Sequence, residues 1–172
     1  VLPGGTTAAP ERLDGPYGPA PKINGLDLVL GAPVPMTREG AESFGLLVRV
    51  EEKPSGTLLS CLMEDGSGGG WELFLKGGKV GLMFSDGKTG VTGRGVARNA
   101  LAPGQWHHVF LSYDAASMRS RSIDVFVDGR PAANSGEVSS FPNDIIPTAP
   151  LRLGSRQAAG GGAAATLTGG GV

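Results

Sequence analysis

Apolar residues recur at every second position along much of the chain, the period of a half-buried β-strand, and no segment gives a convincing helix. In Phe44–Glu51 the residues Phe44, Leu46, Val48 and Val50 fall on one face. Gln105–Asp114 puts Val109, Leu111 and Tyr113 on one face and Trp106, His108, Phe110 and Ser112 on the other, so both faces are partly apolar and the strand should be central. Ile123–Val127 alternates Ile123, Val125 and Val127 with Asp124 and Phe126. Shorter apolar runs predict further strands at Lys22–Leu30, Thr57–Glu64, Trp71–Lys76, Val80–Phe84 and Leu151–Leu153.

The punctuation agrees with this reading. Asp65–Gly70 carries four glycines between two strands. Lys76-Gly77-Gly78-Lys79 and Asp128-Gly129 are two-residue hairpin signals, and Asp86-Gly87 closes another strand. Strands separated by turns at this spacing predict an all-β fold, an antiparallel two-sheet jelly-roll sandwich. Residues 1–21 read as an entry segment, with Val1–Pro10 and Gly15–Pro21 as Gly/Pro-rich loops. Residues 22–157 form the sandwich, in which Pro142–Pro150 is a crossing loop. Residues 158–172 form a Gly/Ala-rich tail or a truncated last strand, with Ala163–Leu167 as its pairing candidate, and the abrupt stop suggests a cut within a longer protein.

Composition removes alternatives. The chain has 30 glycines and 13 prolines, a quarter of its 172 residues, but the glycines keep no three-residue period and collagen is excluded. Disorder is excluded by 40% hydrophobic residues and a net charge of only -1. The same neutrality argues against nucleic acid as a partner and against an anionic membrane surface. No apolar run is long enough for membrane insertion, and Val1–Pro10 lacks the pattern of a signal peptide. The single Cys61 lies in an apolar run and reads as a buried, inert thiol.

Three motifs then carry a resemblance. Pro103-Gly104-Gln105-Trp106-His107-His108-Val109, the Val127-Asp128-Gly129 hairpin and Leu151-Arg152-Leu153-Gly154 stand in the order and spacing of the laminin-G-like, concanavalin A-like jelly roll, which the chain resembles over about residues 40 to 156. Gly69–Leu75 with Lys79-Val80 looks more particularly like the laminin-G-like module of large planctomycete proteins that also carry a cytochrome-c-like domain. The resemblance implies a non-catalytic module of a larger extracytoplasmic (periplasmic or secreted) bacterial protein. Such a module serves binding or domain positioning, its partners being a polysaccharide, a protein ligand or other domains of the same chain. A carbohydrate-binding domain that targets an attached catalytic region is the alternative, and a glycoside hydrolase or lyase the third reading. A complete module returns a final aspartate-rich strand after Leu-x-Leu-Gly; none follows Gly154, so either that strand is expected beyond Val172 or this module closes its sheet differently.

A glycosidase needs two carboxylates about 5–10 Å apart across the scissile bond. No Glu-x-Asp-x-x-Glu run occurs; Glu64-Asp65 face opposite ways, and Asp124 and Asp128 read as turn acids. His107 and His108 are consecutive on a strand and cannot share a metal, and Ser112 has neither an orienting carboxylate nor a nucleophile elbow around it. No catalytic residue and no metal site is assigned, and no cofactor is called for. Calcium is the one ion to consider, through the loop acids Asp65, Asp86, Asp114, Asp128 and Asp144, although Asp-Gly pairs are equally what turns require. Sugar binding needs exposed aromatic faces. Trp71 and Trp106 both have core readings, which leaves Phe74, between Glu72 and Lys76, as the exposed candidate. Glu72, Phe74 and Lys76 are the ligand-binding candidates. Arg94, Arg98, Arg119 and Arg121 read as scattered, solvated loop positions.

Overall fold

The computed structural model describes residues 11–23, 25, 27–37, 40–88, 91–114, 123–132, 134–138, 144–161, 163–164 and 168–171. Fifteen strands follow in chain order: β1 (Arg12–Gly15), β2 (Gly18–Pro21), β3 (Leu28–Gly31), β4 (Ala41–Ser60), β5 (Gly70–Lys76), β6 (Lys79–Ser85), β7 (Val91–Ala97), β8 (Trp106–Asp114), β9 (Ile123–Val127), β10 (Arg130–Pro131), β11 (Asn134–Val138), β12 (Leu151–Leu153), β13 (Arg156–Gln157), β14 (Ala163–Ala164) and β15 (Thr168–Gly171). All pairings between them are antiparallel.

The two layers share β4. Its first half pairs with β8 from Ala41 to Arg49, and beyond β8 lie β9 and β10. Its second half pairs with β5 from Gly56 to Ser60, and beyond β5 lie β6, β7 and β11. β12 pairs with the end of β4 and with β3, while β15 pairs with Arg49 to Ser55. The inner faces then meet. Phe44 packs on Trp71 at 4.5 Å between ring centroids, and Phe84 on Tyr113 at 4.9 Å. Leu73 and Leu82 from one layer and Val109, Leu111, Ile123 and Val125 from the other complete a core that is closed to water. This is the antiparallel jelly-roll sandwich, and the alternation seen at Phe44–Val50, Val109–Tyr113 and Ile123–Val127 is the alternation that is buried.

Turn chemistry behaves as the residue types require. Gly77 and Gly78 have φ of 57° and 77°, both left-handed as a tight β5–β6 hairpin demands. Asp128, at φ 53°, is the one non-glycine with a left-handed backbone among the described residues, followed by Gly129 at 72°.

Several expectations change. Gly15–Pro21 is not a loop: β1 and β2 form a hairpin closed by Pro16-Tyr17, with Gly15 opposite Gly18. Only the end of Lys22–Leu30 is strand. Phe44–Glu51 and Thr57–Glu64 belong to one strand, carried past Lys53-Pro54 by pairing on both sides and ending at Ser60. β7 and β11 carry no clear strand signal in the sequence because glycine interrupts their apolar pattern. Gly95 is needed where it stands, since a Cβ there would lie 2.8 Å from Ile123 on the facing layer. The tail holds β13 partner β14 and also β15, so the layer carrying β4 and β8 is extended within residues 168–171. Within Pro142–Pro150, Ile145 bridges to Met36. The remainder of Ala163–Leu167, together with Arg119 and Arg121, lies outside the described residues.

Candidate functional site

Period two sends Trp71, Leu73 and Leu75 of β5 into the core, so Glu72, Phe74 and Lys76 emerge on the outer face. Neighbouring strands add to that face in register. Met83 stands beside Glu72, and Arg94 beside Met83. Arg156 of β13 reaches the same place from 84 residues away. The result is a shallow depression of about 220 Å³ lined by Thr57, Glu72, Phe74, Lys76, Met83, Arg94 and Arg156.

The three residues singled out from sequence therefore share one depression, but not as free side chains. Glu72 is only 2% exposed. Its Oε1 accepts a hydrogen bond from the Thr57 hydroxyl at 2.5 Å, and its Oε2 accepts one from Arg156 Nη2. Phe74 is 6% exposed, against the expectation of an open aromatic, because the Arg94 guanidinium lies over its ring at 5.0 Å. The ring is flat against the sheet since its partner is Gly81, where a Cβ would sit 2.5 Å from the ring tip. Lys76 remains exposed. Arg94, taken from sequence as a loop position, is a strand residue of this site. Its signal was legible: Arg94 alternates with Gly93 and Gly95, but glycines hid the strand.

A second concavity, of about 340 Å³, lies between the β1–β2 hairpin and the outer face of the other layer. Tyr17, Pro19, Pro21, Leu47 and Trp106 line it. Tyr17 is 92% exposed, and Trp106 is half-buried on the outer face, its Nε1 donating to the Asp14 carbonyl at 3.1 Å. Trp106 is thus not a core residue, and Tyr17 was missed because it lies in what reads as a loop.

His107 and His108 face opposite ways, as expected. The buried ring is a hydrogen-bonded strand imidazole: His107 Nδ1 lies 2.8 Å from Asp128 Oδ2, and its Nε2 lies 3.0 Å from the Ala102 carbonyl. Both ring nitrogens are engaged and the ring is buried, so the dyad closes the β9–β10 turn and has no open side for a nucleophile. Asp128 Oδ1 also accepts the His108 N–H at 2.9 Å. These bonds, first the one from His107, hold the Asp128 carboxyl below the usual aspartate range. A carboxyl whose folded value is depressed stabilises the fold above the ordinary value near about 4 and loses that contribution as pH falls through the folded value. Asp128→Asn is therefore expected to melt earlier than the parent at pH 7, with the difference shrinking as pH falls below the ordinary aspartate value, as followed by circular dichroism.

Of the remaining loop acids, Asp65 Oδ1 accepts the Ser67 N–H and Asp86 Oδ1 the Lys88 N–H, each closing a turn. The Ser67 bonds hold the Asp65 carboxyl low. No group of three or more His, Cys, Asp or Glu side chains that could hold a metal ion occurs among the described residues. Cys61 is buried and unpaired, and burial pushes its thiol up, opposed in part by the Val34 N–H.

The family model of the concanavalin A-like lectin/glucanases superfamily, in its laminin-G form, matches residues 28–169, from β3 into β15. The chain belongs to this superfamily. Solved superfamily folds resemble it throughout. Domain 4 of AbnA, a GH43 extracellular arabinanase from Geobacillus stearothermophilus solved with arabinotriose, has a TM-score of 0.61 and 19% identity over 95% of this chain and 72% of that one. Domains LG4-5 of the mouse laminin α1 chain have a TM-score of 0.55 and 19% identity over 91% of this chain. This chain spans 39% of that laminin fragment. The CBM40 of the Ruminococcus gnavus IT-sialidase, bound to α2,3-sialyllactose, has a TM-score of 0.54 and 12% identity over 84% of each chain. At such identities the likeness is one of fold. No curated protein matches the sequence. No helix among the described residues is long and apolar enough to cross a membrane.

Proposed function

We propose that the chain is a non-catalytic module of a larger extracytoplasmic bacterial protein and that its work is binding, with carbohydrate as the ligand. The observation that carries this is the state of Glu72. It is the only acid lining the depression among the described residues, and both its oxygens are committed to Thr57 and Arg156. Glycoside hydrolysis needs two carboxyl groups with freedom to exchange protons or attack. What the depression offers instead is a set of fixed polar and cationic groups on a rigid sheet, the arrangement of a binding surface. The AbnA domain and the CBM40, both solved with saccharides, support the ligand class.

Affinity electrophoresis through gels containing neutral and acidic polysaccharides, paired with a reducing-sugar assay, tests the proposal. Retardation without sugar release is expected. Turnover that disappears in Glu72→Gln would make the chain an enzyme, and the absence of any retardation would remove carbohydrate as the ligand. Domain positioning is the second reading, favoured by the apolar cleft beside Tyr17, a surface suited to a neighbouring domain. In a longer parent chain, Tyr17→Ser would then increase the radius of gyration measured by small-angle scattering.

A further inference from the structure

We infer that the depression on β5, β6 and β7 selects a saccharide bearing a carboxylate, a uronic-acid unit, over a neutral sugar; this rests on the binding reading above. Three cations, Lys76, Arg94 and Arg156, line the depression against one acid, Glu72. Arg156 and Glu72 neutralise each other, so among the described lining residues Lys76 and Arg94 remain in excess on a chain whose net charge is -1. The surplus is local to the site and not a property of the whole surface.

Arg94 is the group best placed to read a carboxylate. Its guanidinium lies over Phe74, at a position of β7 that faces Glu137 in the β7–β11 ladder. An arginine stacked on an aromatic face keeps its N–H edge for planar, bidentate recognition of a carboxylate, which a lysine or a neutral donor does not reproduce. Arg156 supplies an independent indication. While Nη2 holds Glu72, its Nε is buried at the depression with no hydrogen-bond partner. A buried donor without an acceptor is costly, and an entering acceptor oxygen relieves it. Half-buried Met83 gives the floor an apolar surface beside this cationic rim, while the covered ring of Phe74 serves to hold Arg94 in place. The volume of about 220 Å³ is small, so one unit of a longer glycan is held rather than an extended stretch.

Isothermal titration of the folded domain with tri-galacturonate, with its fully methyl-esterified form and with a sulfated neutral trisaccharide decides the matter. The expected result is binding of the free acid at least about tenfold tighter than of the ester or the sulfated sugar, weakening as salt is raised from 20 to 200 mM. Arg94→Ala, at an exposed position whose melting temperature serves as the folding control, is expected to weaken the acid by about tenfold or more, with Arg94→Lys recovering only part. Equal affinity for acid and ester would overturn the inference while leaving the binding reading intact. Equal affinity for the sulfated sugar would overturn the carboxylate preference. Unchanged binding by folded Arg94→Ala would place the site elsewhere, and no binding of any sugar would remove both the inference and the reading beneath it.

Discussion

Trp71→Ala is expected to destabilise the fold by about 3–5 kcal/mol in urea unfolding, the range for emptying a large aromatic site in a close-packed core. Trp71 is 1% exposed at the start of β5, and three contacts make its site hard to refill. Its ring packs on Phe44 of β4 with an interplanar angle of 45°, which joins the two layers where β4 passes between them. Its Nε1 donates to the Val34 carbonyl at 2.9 Å, tying the segment after β3 to the sheet. The Val34 N–H in turn points at Cys61 Sγ, 3.5 Å away. Alanine removes the packing and also orphans a carbonyl. Trp71→Phe separates the two terms, because it keeps most of the bulk and loses the donor. It should cost less than the alanine variant by about 2 kcal/mol or more, leaving roughly the 1 kcal/mol of a hydrogen bond plus imperfect fit. An alanine variant within 1 kcal/mol of the parent would show that the two layers do not meet at this ring.

The second large effect lies at the other edge of the core. Arg152 is buried in the middle of β12, and each of its three guanidinium nitrogens donates: Nη1 to Asp27, Nε to Gln157 at 2.8 Å and Nη2 to the Gly161 carbonyl at 3.2 Å. Ser155 adds a hydroxyl donor to the same Asp27 oxygen. Arg152→Leu leaves Asp27 as a buried carboxylate without its countercharge, and breaking a buried pair from one side costs about 3–5 kcal/mol. Removing both charges is a different experiment. Asp27→Asn with Arg152→Leu should recover much of the loss, because the desolvation of two ions disappears along with their attraction. A double-mutant cycle by chemical unfolding measures this coupling; additive losses would show that the two side chains act independently. The network also joins Leu28–Gly31, Leu151–Leu153 and the segment after β13, so the single variant should loosen hydrogen exchange there first.

Arg152 marks the limit of pattern reading. Period two puts Leu151 and Leu153 on one face of β12 and Arg152 on the other, yet it is the arginine that is buried and the leucines that are half-buried. Period two predicts that alternate residues face opposite ways, and they do. It does not say that the polar face will be covered, which happens because Asp27, 125 positions earlier, supplies the countercharge. Phe74 repeats the lesson in milder form. Its face was legible from Trp71, Leu73 and Leu75, but its exposure depended on Arg94, on a strand that glycines had concealed.

What the sequence determines by itself is the local grammar of this domain. Strand period places Val48, Val109, Leu111 and Ile123 in a core because a β-strand turns its side chains by half a circle per residue. Gly77-Gly78 and Asp128-Gly129 mark hairpins because left-handed backbone is cheap for few residue types. The motifs around Trp106-His107-His108 and Leu151–Gly154 then suffice for the superfamily. Tertiary structure alone decided that one strand would serve both layers, that a hairpin would stand over Trp106, and that Arg156 would cross 84 residues to close on Glu72. Those outcomes depend on non-local pairing and on the need to satisfy every buried charge, and neither is encoded in the spacing of neighbouring residues.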